Sequence, residues 1–197
     1  MIYYLSKWIA LFFLKVFFRF RVEGRENFPA QGPCIVVSNH ASYLDPIVIG
    51  CAAPRRIYFM AKEELFRNPL SAFFLKQLGA FPLRREEGDR QAIKRIFSLL
   101  REKKVVGLFP EGTRNEGKVR DFRPGAIKLL LKAQVPVIVG RIDGTFDSLP
   151  RGRTIPRLVP ISVFFSPPLV DFSSPLEVFE AKIKEKMEDA ASDLPES

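Results

Sequence analysis

Short apolar runs recur along this chain, separated by stretches whose apolar residues fall at helical spacing. Residues 34–38, 57–61, 80–83, 105–109, 135–142 and 159–165 read as strands. Between the third and fourth, Ala92, Ile93, Ile96, Phe97, Leu99 and Leu100 recur at intervals of a helix, behind an Asp89 able to cap it. Helical patterns also cover 125–133 and 175–190, the second with an apolar stripe of Leu176, Phe179, Ile183 and Met187. Strands alternating with helices predict an α/β domain, its central sheet mostly parallel or mixed and flanked by helices. A length of 197 residues suits one such domain, and the polar residues 193–197 are expected to fray.

One helical stretch, 63–78, carries more apolar residues than a single core-facing stripe needs: Leu65, Phe66, Leu70, Phe73, Phe74, Leu75 and Leu78. The surplus suits an acyl-chain groove, a membrane contact or a fully buried helix.

The amino-terminal segment, IYYLSKWIALFFLKVFFRF, is almost wholly apolar and aromatic. It lacks the small-x-small ending of a secretory signal. Its longest uncharged run, 8–14, falls short of the roughly 20 residues of a spanning helix. On a helical wheel Lys7, Lys15, Arg19 and Arg21 share one half, leaving a broad face of Ile9, Phe12, Phe13, Val16 and Phe20. This pattern predicts a helix over residues 1–22 lying in a membrane interface, with residues 23–197 forming the α/β domain. Packing on the domain's own core is the alternative.

Charge supports the first reading. The 31 Lys and Arg outnumber the 22 Asp and Glu, a net charge of +9 that favours a polyanionic partner. With 19 Phe and a mean hydropathy of +0.02, the expected polyanion is an anionic membrane surface rather than nucleic acid. Cys34 and Cys51 sit among apolar neighbours and read as core thiols. One histidine and two separated cysteines do not make a zinc site, and no cofactor or metal is expected.

That histidine, His40, directly follows the first strand in Ser-Asn-His-Ala-Ser-Tyr-Leu-Asp-Pro, residues 38–46. A carboxylate that fixes its tautomer makes an imidazole a usable general base, and Asp45 is the nearest one. Five helical steps would set the two side chains apart, so contact requires a non-helical link, which Pro46 permits by disfavouring helical geometry at Asp45. Asp45 as a mere helix cap is the competing reading. After the strand 105–109 comes Phe-Pro-Glu-Gly-Thr-Arg, 109–114. Gly112 lets backbone approach a ligand there, and Arg114 offers a planar fork suited to phosphate. Gly112 to Lys118 also spells G-x-x-x-x-G-K, but Val119 stands where a phosphate-binding loop needs Ser or Thr. No G-x-S-x-G serine-nucleophile motif occurs. Between the two features the strand 80–83 delivers Arg84 and Arg85, which strand alternation sends to opposite faces.

Together these residues resemble the glycerolipid acyltransferases that include the lysophosphatidic acid acyltransferases. That family's N-H-x-x-x-x-D motif is matched at Asn39, His40 and Asp45; its glycine-strand-arginine motif from Gly79 to Arg85; and F-P-E-G-T-R without substitution from Phe109 to Arg114. The chain departs from the pattern at Arg84, at Asn115 where serine is usual, and at Gly140 in place of a second proline of the fourth motif. The resemblance implies that His40 is a general base held by Asp45, and that Arg85, Glu111, Gly112, Thr113 and Arg114 bind substrate. It further implies transfer of an acyl group from acyl-CoA or acyl carrier protein to the hydroxyl of 1-acylglycerol 3-phosphate, giving phosphatidic acid. Glycerol 3-phosphate or another lysophospholipid is the alternative acceptor, and a catalytically silent membrane-binding module the alternative of another class. A membrane-associated enzyme at the cytoplasmic face, peripheral or monotopic, is expected.

Overall fold

A computed structural model describes residues 2–77, 79–83, 88–115 and 121–192. The apolar runs become strands β2 (Cys34–Ser38), β3 (Ile57–Lys62), β4 (Ala80–Leu83), β5 (Val105–Leu108), β6 (Val137–Asp143) and β7 (Ser162–Phe165). They join one seven-stranded sheet in the order β1-β7-β6-β2-β5-β3-β4. Every pairing is parallel except β6 with β7. Strand β1 (Arg21–Glu23) escapes sequence patterning, because three residues are too few to show a period. Its register against β7 is set by pairing, Arg21 opposite Ser162.

The central strands β2 and β5 are buried on both faces. Alternation sends Cys34, Val36, Val105 and Ile138 to one core and Ile35, Val37, Val106 and Val139 to the other. Helix α2 (Asp45–Ala52) covers the first core with Val48, Ile49, Cys51 and Ala52. The second is covered by α4 (Gly88–Arg101), α5 (Pro124–Ala133) and α7 (Leu176–Ser192), through Ile96, Leu99, Ile127, Leu130, Phe179 and Ile183. The stripe expected of 175–190 therefore faces the sheet. After a 3-10 turn (Glu63–Phe66), α3 (Pro69–Gln77) lies against β4 and α1, with Phe73 exposed.

Helix α1 (Ile2–Phe18) stops before Arg19, whose positive φ of 44° turns the chain into β1. It runs over the first core, burying Tyr3 and Leu14 and half-burying Ala10, Leu11 and Phe18. Tyr4, Trp8, Ile9, Phe12, Phe13 and Val16 point away from the domain, Trp8 being 71% exposed. One side of the helix thus packs on the domain's own core, as the alternative reading expected, and the other side is left exposed, as a helix in a membrane interface requires. The cations divide differently from the wheel. Lys7 turns inward and donates to the Ala53 carbonyl, and burial pulls its ammonium below the usual lysine pKa. Arg21 lies in β1, and Phe20 is buried. Among the described residues, no helix is long and apolar enough to cross a membrane.

Candidate active site

The site lies at the carboxyl ends of the parallel strands β2 and β5, where loops of an α/β sheet meet. Past Ser38 the chain leaves β2 and makes a bend and turn before α2 begins at Asp45, with Pro46 in its first turn. This is the non-helical link that a spacing of five demands. His40 Nδ1–H donates to Asp45 Oδ2 over 2.8 Å. The same oxygen accepts the backbone N–H of Ala41 and of Ser42, each at 2.7 Å. Asp45 therefore serves the loop and the imidazole; the helix N-cap is Leu44, and no side chain caps it. With Asp45 fully buried and His40 19% exposed, the carboxylate is shielded while the ring reaches solvent. An oxygen that accepts from Nδ1 leaves the lone pair on Nε2, the tautomer a general base needs.

Position and ring orientation are fixed from three further directions. Buried Asn39 clasps β6: its Nδ2 donates to the Ile142 carbonyl and its Oδ1 accepts the Ile142 N–H, both at 2.8 Å. The His40 ring stacks on Phe109 at 4.2 Å between centroids, and Phe109 stacks in turn on Phe59 at 5.6 Å. Gly107 makes that stack possible, since a Cβ there would stand 2.0 Å from the Phe59 ring. Finally, Glu111 Oε1 accepts the His40 N–H at 3.1 Å, its Oε2 accepts from Asn115 Nδ2, and the Asn115 N–H donates to the His40 carbonyl at 2.8 Å. The buried Glu111 side chain and the Asn115 backbone N–H thus tie the loop after β5 to the backbone of His40.

The loop after β5 is a tight turn in which the Gly112 N–H bonds the Phe109 carbonyl. Gly112 has φ 69°, a left-handed backbone conformation that favours glycine. Thr113 is exposed. Arg114 lays its guanidinium 3.5 Å from the centroid of the Tyr43 ring, and its Nη1 is buried without a hydrogen-bond partner among the described residues. A buried cationic donor left unmatched is costly, and an anion held there would relieve it.

The residues expected from sequence are brought together with one exception: Arg85, with Arg84, lies outside the described residues. Sequence reading passed over Asn39 as a clasp, Phe59 and Phe109 as a ring stack, and Tyr43 as a support for Arg114. A large aromatic residue in a polar loop was the available signal for Tyr43. Asn115 was visible only as a departure from a motif.

Comparison with known proteins agrees with this geometry. A family profile described as Acyltransferase matches residues 19–142. A Bacillus subtilis protein named 1-acyl-sn-glycerol-3-phosphate acyltransferase is 35% identical over 125 residues, 63% of this chain and 62% of the relative. The human protein named 1-acyl-sn-glycerol-3-phosphate acyltransferase alpha is 35% identical over 136 residues, 66% of this chain and 48% of its own length. The chain thus spans less than two thirds of the length of these curated relatives. The crystal structure of the 1-acyl-sn-glycerophosphate (LPA) acyltransferase PlsC from Thermotoga maritima superposes with a TM-score of 0.81 at 25% identity, covering 99% of this chain and 81% of that one.

Proposed function

This chain belongs to the acyltransferase family, and from that premise we propose that it transfers an acyl group from acyl-CoA or acyl carrier protein to the hydroxyl of 1-acylglycerol 3-phosphate. The observation that carries the reading is the 2.8 Å bond from His40 Nδ1 to a buried Asp45, which leaves the lone pair on Nε2 of a ring that is partly open to solvent. His40 Nε2 takes the proton of the acceptor hydroxyl as that oxygen attacks the thioester carbonyl. The tetrahedral intermediate collapses by breaking the C–S bond, and the imidazolium returns its proton to the departing thiolate. Asp45 stabilises the imidazolium in between. A positioned base of this kind contributes about 10² to 10⁴ in rate.

Arg114 receives the acceptor's phosphate. Its unmatched Nη1 supports that role, as does the Tyr43 stack that holds the guanidinium plane. Arg85, following β4, is the second phosphate ligand. Glu111 and Gly112 shape the same end of the site, Glu111 from beneath through the His40 N–H and Gly112 through its turn, with Thr113 on the exposed rim. The protein works on a membrane surface, with the outward face of α1 in the acyl boundary.

The test offers acyl-CoA and acyl carrier protein thioesters against 1-acylglycerol 3-phosphate, glycerol 3-phosphate and a panel of lysophospholipids. Turnover is expected with the first acceptor, and His40→Ala is expected to abolish it while thermal melting and vesicle binding stay as in the parent. Selective turnover of glycerol 3-phosphate or another lysolipid would reassign the acceptor. Absence of turnover with every pair would leave a silent membrane-binding module.

A further inference from the structure

The segment between α6 (Thr145–Ser148) and β7 lies beyond the region matched by the family profile, and none of the motifs reaches it. Its sequence, Leu-Pro-Arg-Gly-Arg-Thr-Ile-Pro-Arg-Leu-Val-Pro, interleaves three arginines with aliphatic residues. Ile155 is 72% exposed and Leu158 65% exposed, among the most exposed aliphatic side chains described. Arg151, Arg153 and Arg157 are exposed around them. Two backbone bonds and one from a side chain hold this loop in shape: the Arg153 N–H donates to the Pro150 carbonyl, the Arg157 N–H to the Ser148 carbonyl, and the Ser148 hydroxyl to the Arg157 carbonyl.

Its anchors place it. Ser42 Oγ, two residues from His40, donates to the Leu149 carbonyl at 2.9 Å, so one end of the loop is fastened to the catalytic loop. At the other end the Ile161 N–H donates to the Phe18 carbonyl and the Arg21 N–H to the Ile161 carbonyl, which fastens it to the end of α1. The loop therefore runs from the loop that carries His40 to the end of α1.

We propose that residues 150–158 form a second membrane-contact element, with Ile155 and Leu158 entering the acyl boundary of an anionic lipid surface and Arg151, Arg153 and Arg157 lying at its headgroups. Exposed aliphatic side chains ringed by arginines match the two layers of such a surface. Because the loop is fastened at one end two residues from His40 and at the other to the end of α1, contact of both elements with one lipid surface would hold the His40 loop near the bilayer, where a two-tailed product and a one-tailed acceptor both reside. The inference rests on the membrane reading given above, and its test separates the two.

The native thiols make the experiment clean. Cys34 and Cys51 are buried, and burial pushes both thiols up to about 11, so a maleimide dye at neutral pH reacts with an added surface cysteine. Ile155→Cys and Leu158→Cys, and Glu102→Cys in the exposed turn that follows α4 as control, are labelled with an environment-sensitive fluorophore in the full chain. On vesicles of phosphatidylglycerol and phosphatidylcholine, the labels at 155 and 158 are expected to shift to the blue and to be quenched by nitroxide lipid, while the label at 102 does neither. Replacing Arg151, Arg153 and Arg157 by Ser should weaken vesicle binding about fivefold for each arginine removed, with turnover of a short-chain, water-soluble acceptor unchanged. A vesicle-bound protein whose labels at 155 and 158 behave like the one at 102 would overturn this loop's role and leave that of α1 standing. Failure of the unlabelled protein to sediment with the vesicles would overturn the membrane reading and the loop with it.

Discussion

Replacing Asp45 by Asn asks whether the carboxylate serves the chemistry or only the loop, and the geometry separates the two contributions. Oδ2 accepts three hydrogen bonds, from His40 Nδ1, Ala41 N and Ser42 N, whereas Oδ1 is buried without a partner among the described residues. The amide oxygen must therefore take the Oδ2 place, because the NH2 group there would face three donors. That orientation keeps the loop but buries an unmatched NH2, at a cost of about 1–3 kcal/mol. For a chain of this size the melting temperature should fall by roughly 2–10 °C. The effect on catalysis should be larger. An imidazolium and a carboxylate 2.8 Å apart attract by roughly 6 kcal/mol at an effective dielectric constant near 20. A neutral amide dipole restores only part of that, so a transition-state loss of about 4 kcal/mol, or roughly 10³ in kcat/KM, is expected. Saturation kinetics of acyl transfer, run well below the melting temperature of the variant, measure it. Activity within tenfold of the parent, accompanied by the expected fall in melting temperature, would refute the argument and leave Asp45 as a support for the Ala41–Ser42 backbone alone.

Arg114→Ala and Arg85→Ala should each raise the KM for a phosphate-bearing acceptor tenfold or more with kcat less affected, while Arg84→Ala does little; equal effects of Arg84 and Arg85 in the same kinetics would mean that the strand presents the other face. Trp8→Ser, Phe12→Ser and Val16→Ser combined should lower vesicle affinity at least a hundredfold in a sedimentation assay, at about 1.5–3 kcal/mol for each large apolar side chain withdrawn from lipid. The same variant should melt within about 2 °C of the parent, since these side chains face outward; deleting α1 outright should instead unfold the domain by exposing what Tyr3 and Leu14 cover. Stability should also fall at alkaline pH. The thiols of Cys34 and Cys51 titrate near 9.0 when unfolded and at about 11 when folded, so the folded state holds their protons more tightly. Their contribution is complete below pH 9 and lost as pH rises through 11, which denaturant titrations at pH 8, 9.5 and 11 would follow, with Cys34→Ala/Cys51→Ala flattening the decline.

Much of this molecule was written locally. The continuous apolar runs at 34–38 and 105–109 became β2 and β5 because a few consecutive β-branched side chains prefer a pleated, buried strand whatever surrounds them. The apolar pattern of residues 92–100 became α4 for a similarly local reason, its stripe repeating at the helical period, although the helix already begins at Gly88 and so takes in Asp89, the expected cap, as one of its own residues. The motif residues His40, Asp45, Glu111 and Arg114 could be named because they occur in two short motifs in a fixed order; Pro46, however, does not keep Asp45 out of helical geometry, since Asp45 opens α2, and it is the bend and turn at residues 42–44 that let His40 reach it.

Other features depend on surfaces that meet only after folding. Segment 2–18 is apolar almost all round, so its sequence does not say which side finds the core; the shape of α2 and the sheet decides that, burying Tyr3 and Leu14 and turning Lys7 inward to a carbonyl 46 residues away. Strand β1 exists only because β7 offers an open edge. The contact of Glu111 with the His40 N–H spans 71 residues and requires β2 and β5 to be neighbours in register. Local propensity fixes elements because it is set within a few residues of chain, whereas sheet order, the buried side of an all-apolar helix and a hydrogen bond across 71 residues are properties of the assembled tertiary structure alone.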